Sequence, residues 1–147
     1  MELIIVMAII AIGAVMMVPN IGGWLPNYRL RAATRDIVST MRVAQMKAVS
    51  SNVTYHVSFN EVSKSFVVRR QTTAGINNYV DDSDSQFLPQ GITFQNVNFA
   101  IPTGEVNKCV VFNSNSTASS GSVILTNPRA GQKTISVFST TGRVRVE

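Results

Sequence analysis

The chain has 147 residues, with 13 Lys+Arg against 8 Asp+Glu, one His and one Cys. Charged residues make up 14% and apolar ones 45%, the opposite of the balance that keeps a chain disordered. One cysteine excludes an internal disulfide framework or a cysteine-cluster metal site, and one histidine leaves little for acid–base work at neutral pH. An enzyme is therefore the disfavoured class, no cofactor or metal is expected, and the length fits one domain with an appendage. A net charge of +5 is too mild and too dispersed to announce a nucleic-acid binder by itself.

The appendage comes first. Leu3 through Val18 is an unbroken apolar run, LIIVMAIIAIGAVMMV, preceded by Glu2. As a helix it spans about 24 Å, short of the roughly 30 Å hydrocarbon core; Ile21, Trp24 and Leu25 extend the membrane-compatible length. A secretory signal peptide needs a basic start and a small-residue cleavage site, and a core helix needs a polar face. Neither pattern is present, so a membrane-inserted helix is expected. Glu2 stands at its lip, where a carboxylate either meets the favourable helix N-terminus or marks a specific partner.

Pro19, Gly22, Gly23 and Pro26 follow, so the helix is expected to kink or melt between about Gly13 and Pro26. It resumes from Tyr28 to Ser51, where Leu30, Ala33, Ile37, Met41, Ala44 and Ala48 recur at helical spacing. Arg31, Arg35, Arg42 and Lys47 occupy the other face. Residues 1–27 thus read as an apolar segment with a break near Pro19, 28–52 as an amphipathic helix, and 53–147 as a β-rich head.

In the head the period changes to two. Val53–Phe59 and Ser65–Arg70 read as a hairpin around Asn60–Lys64, with further strands at Ile92–Phe99, Lys108–Phe112, Ser122–Thr126, Thr134–Ser139 and Arg143–Val146. Residues 72–90 read as a long surface loop, and 113–121 as a mobile Ser/Asn-rich one. The expected fold class is α+β, a long N-terminal helix packed on an antiparallel β-sandwich or curled sheet.

This order, with ELIIVMAIIAIGAVMMVP at its front, resembles the type IV pilin and type II secretion pseudopilin superfamily. In that superfamily a glutamate opens an apolar run that a proline closes, and the Glu2 to Pro19 spacing matches. LRAATRDIVSTMRVAQMKAVSSN and the terminal GSVILTN…KTISVFSTTGRVRV are most similar to the GspH/FimT group of minor pilins and pseudopilins. The resemblance implies a pilin-like fold and a structural subunit of a helical filament, either a type IV pilus or a pseudopilus. It implies partners that are copies of the chain or other pilin-like subunits, an inner-membrane stage with the head in the periplasm, and a periplasmic or extracellular filament afterwards. It implies assembly through Glu2, Leu3, Ile5, Ile9 and Pro19, with Glu2 meeting the N-terminal amine of a neighbour. Family precursors carry a basic leader, absent here, and several residues before the glutamate where this chain has Met1. The chain is expected to be a processed form lacking a few residues or one with a shifted start.

Other residues carry competing readings. His56 is expected on the wet Thr54/Ser58 face of its strand, Cys109 in core packing, and Asp81-Asp82-Ser83-Asp84 in a solvated loop rather than a calcium site. Arg143 and Arg145 alternate onto one face of the last strand. The G-R-x-R tail resembles that of FimT-like pilins associated with DNA uptake, which makes weak DNA contact through Arg143 and Arg145, together with the helix arginines, the alternative to an edge strand blunted by charge. A membrane-anchored enzyme is the third reading, disfavoured for want of any nucleophile–base constellation.

Overall fold

A computed structural model describes residues 2–17, 21–72 and 78–147. Two helices, α1 (Glu2–Met17) and α2 (Ile21–Ser51), precede nine strands among these residues. The strands are β1 (Tyr55–Asn60), β2 (Ser65–Gln71), β3 (Tyr79–Asp81), β4 (Gln86–Phe87), β5 (Thr93–Asn98), β6 (Lys108–Phe112), β7 (Gly121–Thr126), β8 (Gln132–Val137) and β9 (Val144–Val146). All pair antiparallel, in two open sheets: β3-β2-β1-β6 with β4 also on β2, and β5-β7-β8-β9. The helix-on-antiparallel-sheet architecture expected from the sequence is the one observed.

α2 joins the two sheets. Leu30, Ala33, Ile37, Met41, Ala44 and Ala48 form one buried stripe, each no more than 4% exposed. The alanines let the helix approach closely; Ile37 and Met41 share one core with Val57 and Phe59 of β1 and with Val123, Leu125 and Ile135 of the second sheet. Phe59 meets Phe94 edge-on and stacks with Phe99, at centroid distances of 5.8 and 5.9 Å. Burying each such aliphatic or aromatic side chain contributes about 1.5–3 kcal/mol, so this shared core holds helix and sheets together. The helix ends where Asn52 takes φ 54°, the left-handed cap that asparagine tolerates.

α1 runs through Gly13 and α2 through Gly22, Gly23 and Pro26, while the break expected near Pro19 lies outside the described residues. Pro26 is only six residues into α2, so its missing N–H costs a single hydrogen bond, to the carbonyl of Gly22. Other expectations are corrected. The expected loop at 72–90 carries β3 and β4, both paired to β2. The expected mobile stretch 113–121 is tied down instead. Asn113 N–H donates to Thr117 O at 2.9 Å, Ala118 is buried, and its N–H donates to Ser139 O at 2.9 Å, which links the two sheets.

His56 is the largest departure, because it is fully buried. β1 is central in its sheet, and both of its faces are covered. The strand registers His56↔Arg69 and Arg69↔Asp81 set three polar side chains in a row on the face away from α2. Glu105, on the loop between β5 and β6, folds over that row. His56 Nε2 lies 2.8 Å from Glu105 Oε1, Arg69 Nη1 donates to both Glu105 oxygens at 2.6 Å, and Arg69 Nε donates to Asp81 at 2.7 Å. Tyr79 closes the site with its ring edge-on to the imidazole, 4.2 Å between centroids. Burial pushes the His56 pKa below its ordinary value, against the upward pull of Glu105. The geometry agrees with a neutral ring. Nε2–H donates to Glu105, and buried Nδ1, without a partner among the described residues, is left as a bare acceptor rather than a stranded N–H.

Two outcomes follow for the full chain in nonionic detergent. Gly121 has no room for a Cβ, which would press on the Asn98 carbonyl oxygen and on the Phe99 ring. Gly121→Ala should cost roughly 1–3 kcal/mol in urea unfolding. For His56, the unfolded imidazole takes a proton near pH 6.5 that the folded one resists, so stability falls as pH drops below about 6.5. Urea midpoints at pH 7.5 and 5.5 should show a steeper acid loss for the wild type than for His56→Gln; parallel losses would contradict a neutral buried His56.

Candidate functional site

The surface that α1 presents follows directly from its composition. With apolar residues at every angle, the helix has no polar side to turn to water. Every side chain from Glu2 to Ala14 is exposed in the isolated chain, Leu3 by 73% and Ile9 by 64%. Leu3, Ile4, Ile5, Val6, Met7, Ile9, Ile10 and Ile12 are all among the exposed large apolar residues. Glu2 sits in the first turn, where the helix dipole favours a negative charge. Pro19, the remaining expected assembly residue, lies outside the described residues. No helix among those described is long and apolar enough to cross a membrane.

The basic residues of the tail do not converge with those of α2. On β9, Val144 packs on the core, whereas Arg145 faces away and its Nη2 lies 3.2 Å from Glu147 Oε1. Arg143 is exposed just before the strand, beside Gly142 in the left-handed region at φ 59°. Arg31, Arg35 and Arg42 line a separate groove that takes in Lys133 and Val146. Arg143 and Arg145 line no part of it.

The acidic stretch has structural partners. Asp81 accepts from Arg69, and Asp82 from Lys47 Nζ at 2.6 Å, which fixes the β3–β4 connection to the sheet and to α2. His56, Glu105 and Cys109 bring three ligand-type atoms within 4.8 Å of one another. The donor set does not suit a cation, because the Arg69 guanidinium already holds both Glu105 oxygens. Burial also raises the Cys109 pKa to about 11, so the thiolate a metal needs is disfavoured. Cys109 is buried packing, as its place in an apolar strand predicts.

The cluster was not legible in the sequence, since nothing local connects Glu105 to His56 across 49 residues. Its one signal is a lone histidine, His56, set between Tyr55 and Val57 on an apolar strand.

A family model described as type II transport protein GspH matches residues 33–142, from the middle of α2 past the end of β8. No curated protein matches the chain. Among solved structures, the minor pseudopilin EpsH from the type 2 secretion system of Vibrio cholerae is similar at TM-score 0.65 and 9% identity, over 81% of this chain and 96% of that one. A second structure of EpsH gives 0.63 and 10%, over 83% and 94%. The type IV minor pilin FimU of Pseudomonas aeruginosa is similar at 0.55 and 16%, over 82% and 90%. At such identities the structural likeness is one of fold. The family match spans far more than half of the sequence, from the α2 stripe through both sheets. The chain belongs to the GspH family of type II transport proteins, in the type IV pilin and type II pseudopilin superfamily, whose members are structural subunits and not enzymes.

Proposed function

We propose that this chain is a subunit of a pilus-like filament, a type II secretion pseudopilus or a type IV pilus, and that it assembles through α1. The observation that carries this is the exposure of α1 on every side while α2 and both sheets bury theirs. An apolar cylinder of that kind is stable only in lipid or against other apolar helices. Burial is worth about 1.5–3 kcal/mol for each of the large side chains, enough to drive eight of them out of water many times over. The subunit waits in the inner membrane with its head in the periplasm, then moves into a filament whose core is built from such helices. The names of EpsH and FimU support both machines, and the GspH family match supports the secretion pseudopilus more. Its partners are other pilin-like subunits, further copies of this chain among them.

In a filament core Glu2 loses water. A buried carboxylate without a partner costs several kcal/mol, repeated at each subunit. The N-terminal amine of a neighbouring subunit, brought in from the same membrane face, is the complementary charge. The pairing sets the axial register of the subunits. Leu3, Ile5 and Ile9 supply apolar contact around it, and Pro19 closes the segment.

A second reading, DNA contact through Arg143 and Arg145, is supported by the exposure of both side chains. Two arginines, one of them already paired with Glu147, give a weak and strongly salt-dependent hold on phosphate.

Glu2→Ala should leave membrane insertion and the folding of the β-domain unchanged and lower incorporation into filaments in cells that lack the wild-type subunit; wild-type incorporation would sink the mechanism. Arg143→Ala with Arg145→Ala should change DNA retention little at physiological salt and leave assembly untouched. Complete loss of a tight DNA interaction in that variant would promote the DNA-uptake reading.

A further inference from the structure

α2 runs along the edge of the second sheet, and the cleft between them is a groove of about 460 Å³. One wall is a basic stripe. Arg31, Arg35 and Arg42 are spaced by four and seven residues, which returns them to one side of the helix over about 16 Å. Lys133 on β8 faces them from the other wall. The floor between is apolar, formed by Val38 and by Val146, which is 42% exposed although its register partner Ile135 is fully buried.

None of these four cations has an ion-pair partner among the described residues, whereas Lys47, Arg69, Lys108 and Arg145 each meet a carboxylate. Four like charges around one apolar cleft repel each other in the isolated chain, and no carboxylate among the described residues pairs with any of them. The two nearest acidic groups by sequence are turned elsewhere. Asp36 lines no part of the groove, and Glu147 pairs with Arg145 on the outer face of β9.

We propose that this groove is the docking site for an acidic amphipathic segment of a partner polypeptide, with carboxylates set against Arg31, Arg35, Arg42 and Lys133 and an aliphatic side chain on Val38 and Val146. Charge complementarity selects an anion, and the apolar floor selects a polypeptide, because a phosphate backbone offers nothing to cover two valines. The proposal rests on the filament reading only for who supplies the segment, namely a neighbouring pilin-like subunit. It is a side contact between heads, distinct from the contact of α1 with other helices.

The test uses the full chain in nonionic detergent and two labelled synthetic helical peptides of about twelve residues, long enough to span the stripe. They share leucines on one face and differ only in carrying Glu or Gln on the other; a DNA duplex is the third probe. The Glu peptide should bind at least about tenfold more tightly than the Gln peptide, and salt should weaken it. Arg35→Gln with Arg42→Gln, both exposed, should weaken it by about tenfold, and Lys133→Gln on the opposite wall should weaken it in the same direction. Arg143→Gln with Arg145→Gln should leave it unchanged. Equal binding of the two peptides, or undiminished binding by the groove variants, would overturn the proposal. Duplex binding lost with Arg35 and Arg42, without binding of the Glu peptide, would assign the groove to nucleic acid instead. Peptide binding needs no filament, so a failure here is separable from a failure of the assembly reading.

Discussion

A helix that is apolar on every side constrains everything else in this molecule. α1 has no polar face and, among the described residues, no contact that removes Leu3 or its isoleucines from water. A globular domain normally turns such a segment inward. Here the inward position is already filled by α2, whose buried stripe completes the core between the two sheets. The division of labour is visible in composition: after Glu2, α1 carries no charged or polar side chain, whereas α2 alternates a buried apolar stripe with arginines. On the proposed reading the first half seeks other apolar helices, while the second half fastens to the sheets of its own head.

α2 also carries opposite chemistries on its two sides. Toward the sheets it presents Ile37 and Met41, fully buried. Away from them it presents arginines, and where the helix passes the edge of β8 and β9 these line an open groove. The head thus offers a charged surface while α1 offers an apolar one. Surfaces of such different character respond differently to salt, since ion pairs at the surface are screened and apolar contacts are not. Beneath the far face of the first sheet, the His56–Glu105–Arg69 cluster pins the β5–β6 connection over β1. It stiffens the head and lines no groove that reaches the tail or α2.

Much of the fold was legible because it rests on periodicity. Leu30, Ala33, Ile37, Met41, Ala44 and Ala48 announce their stripe at helical spacing, and all are buried. The alternation of Tyr55, Val57 and Phe59 locates β1 and its core face, and the antiparallel head follows from strands without intervening helices. What was not legible depends on contacts between distant segments. His56 looked wet because alternation assigns it to the second face of a strand, and nothing local says that Glu105 and Tyr79 cover that face. Asp81 and Asp82 read as solvated, yet each finds a cation on another element. The 113–121 stretch reads as mobile from its serines and asparagines, but its side chains bond its own backbone and that of β6: Val111 N–H donates to Ser119 Oγ at 2.9 Å. The proposed assembly residues lie between these cases. The run from Leu3 to Ile12 is plain in the sequence, and nothing among the described residues covers it.

The central claim is that α1 ends among other helices. A photo-crosslinking amino acid in place of Ile9, on the exposed apolar surface, tests it most directly in cells that assemble filaments. The account predicts that irradiated filaments yield covalent adducts with the N-terminal apolar helix of another pilin-like subunit, and that the unassembled membrane pool yields lipid adducts instead. Adducts confined to lipid in both pools, or adducts with the β-rich head of the same chain, would contradict it.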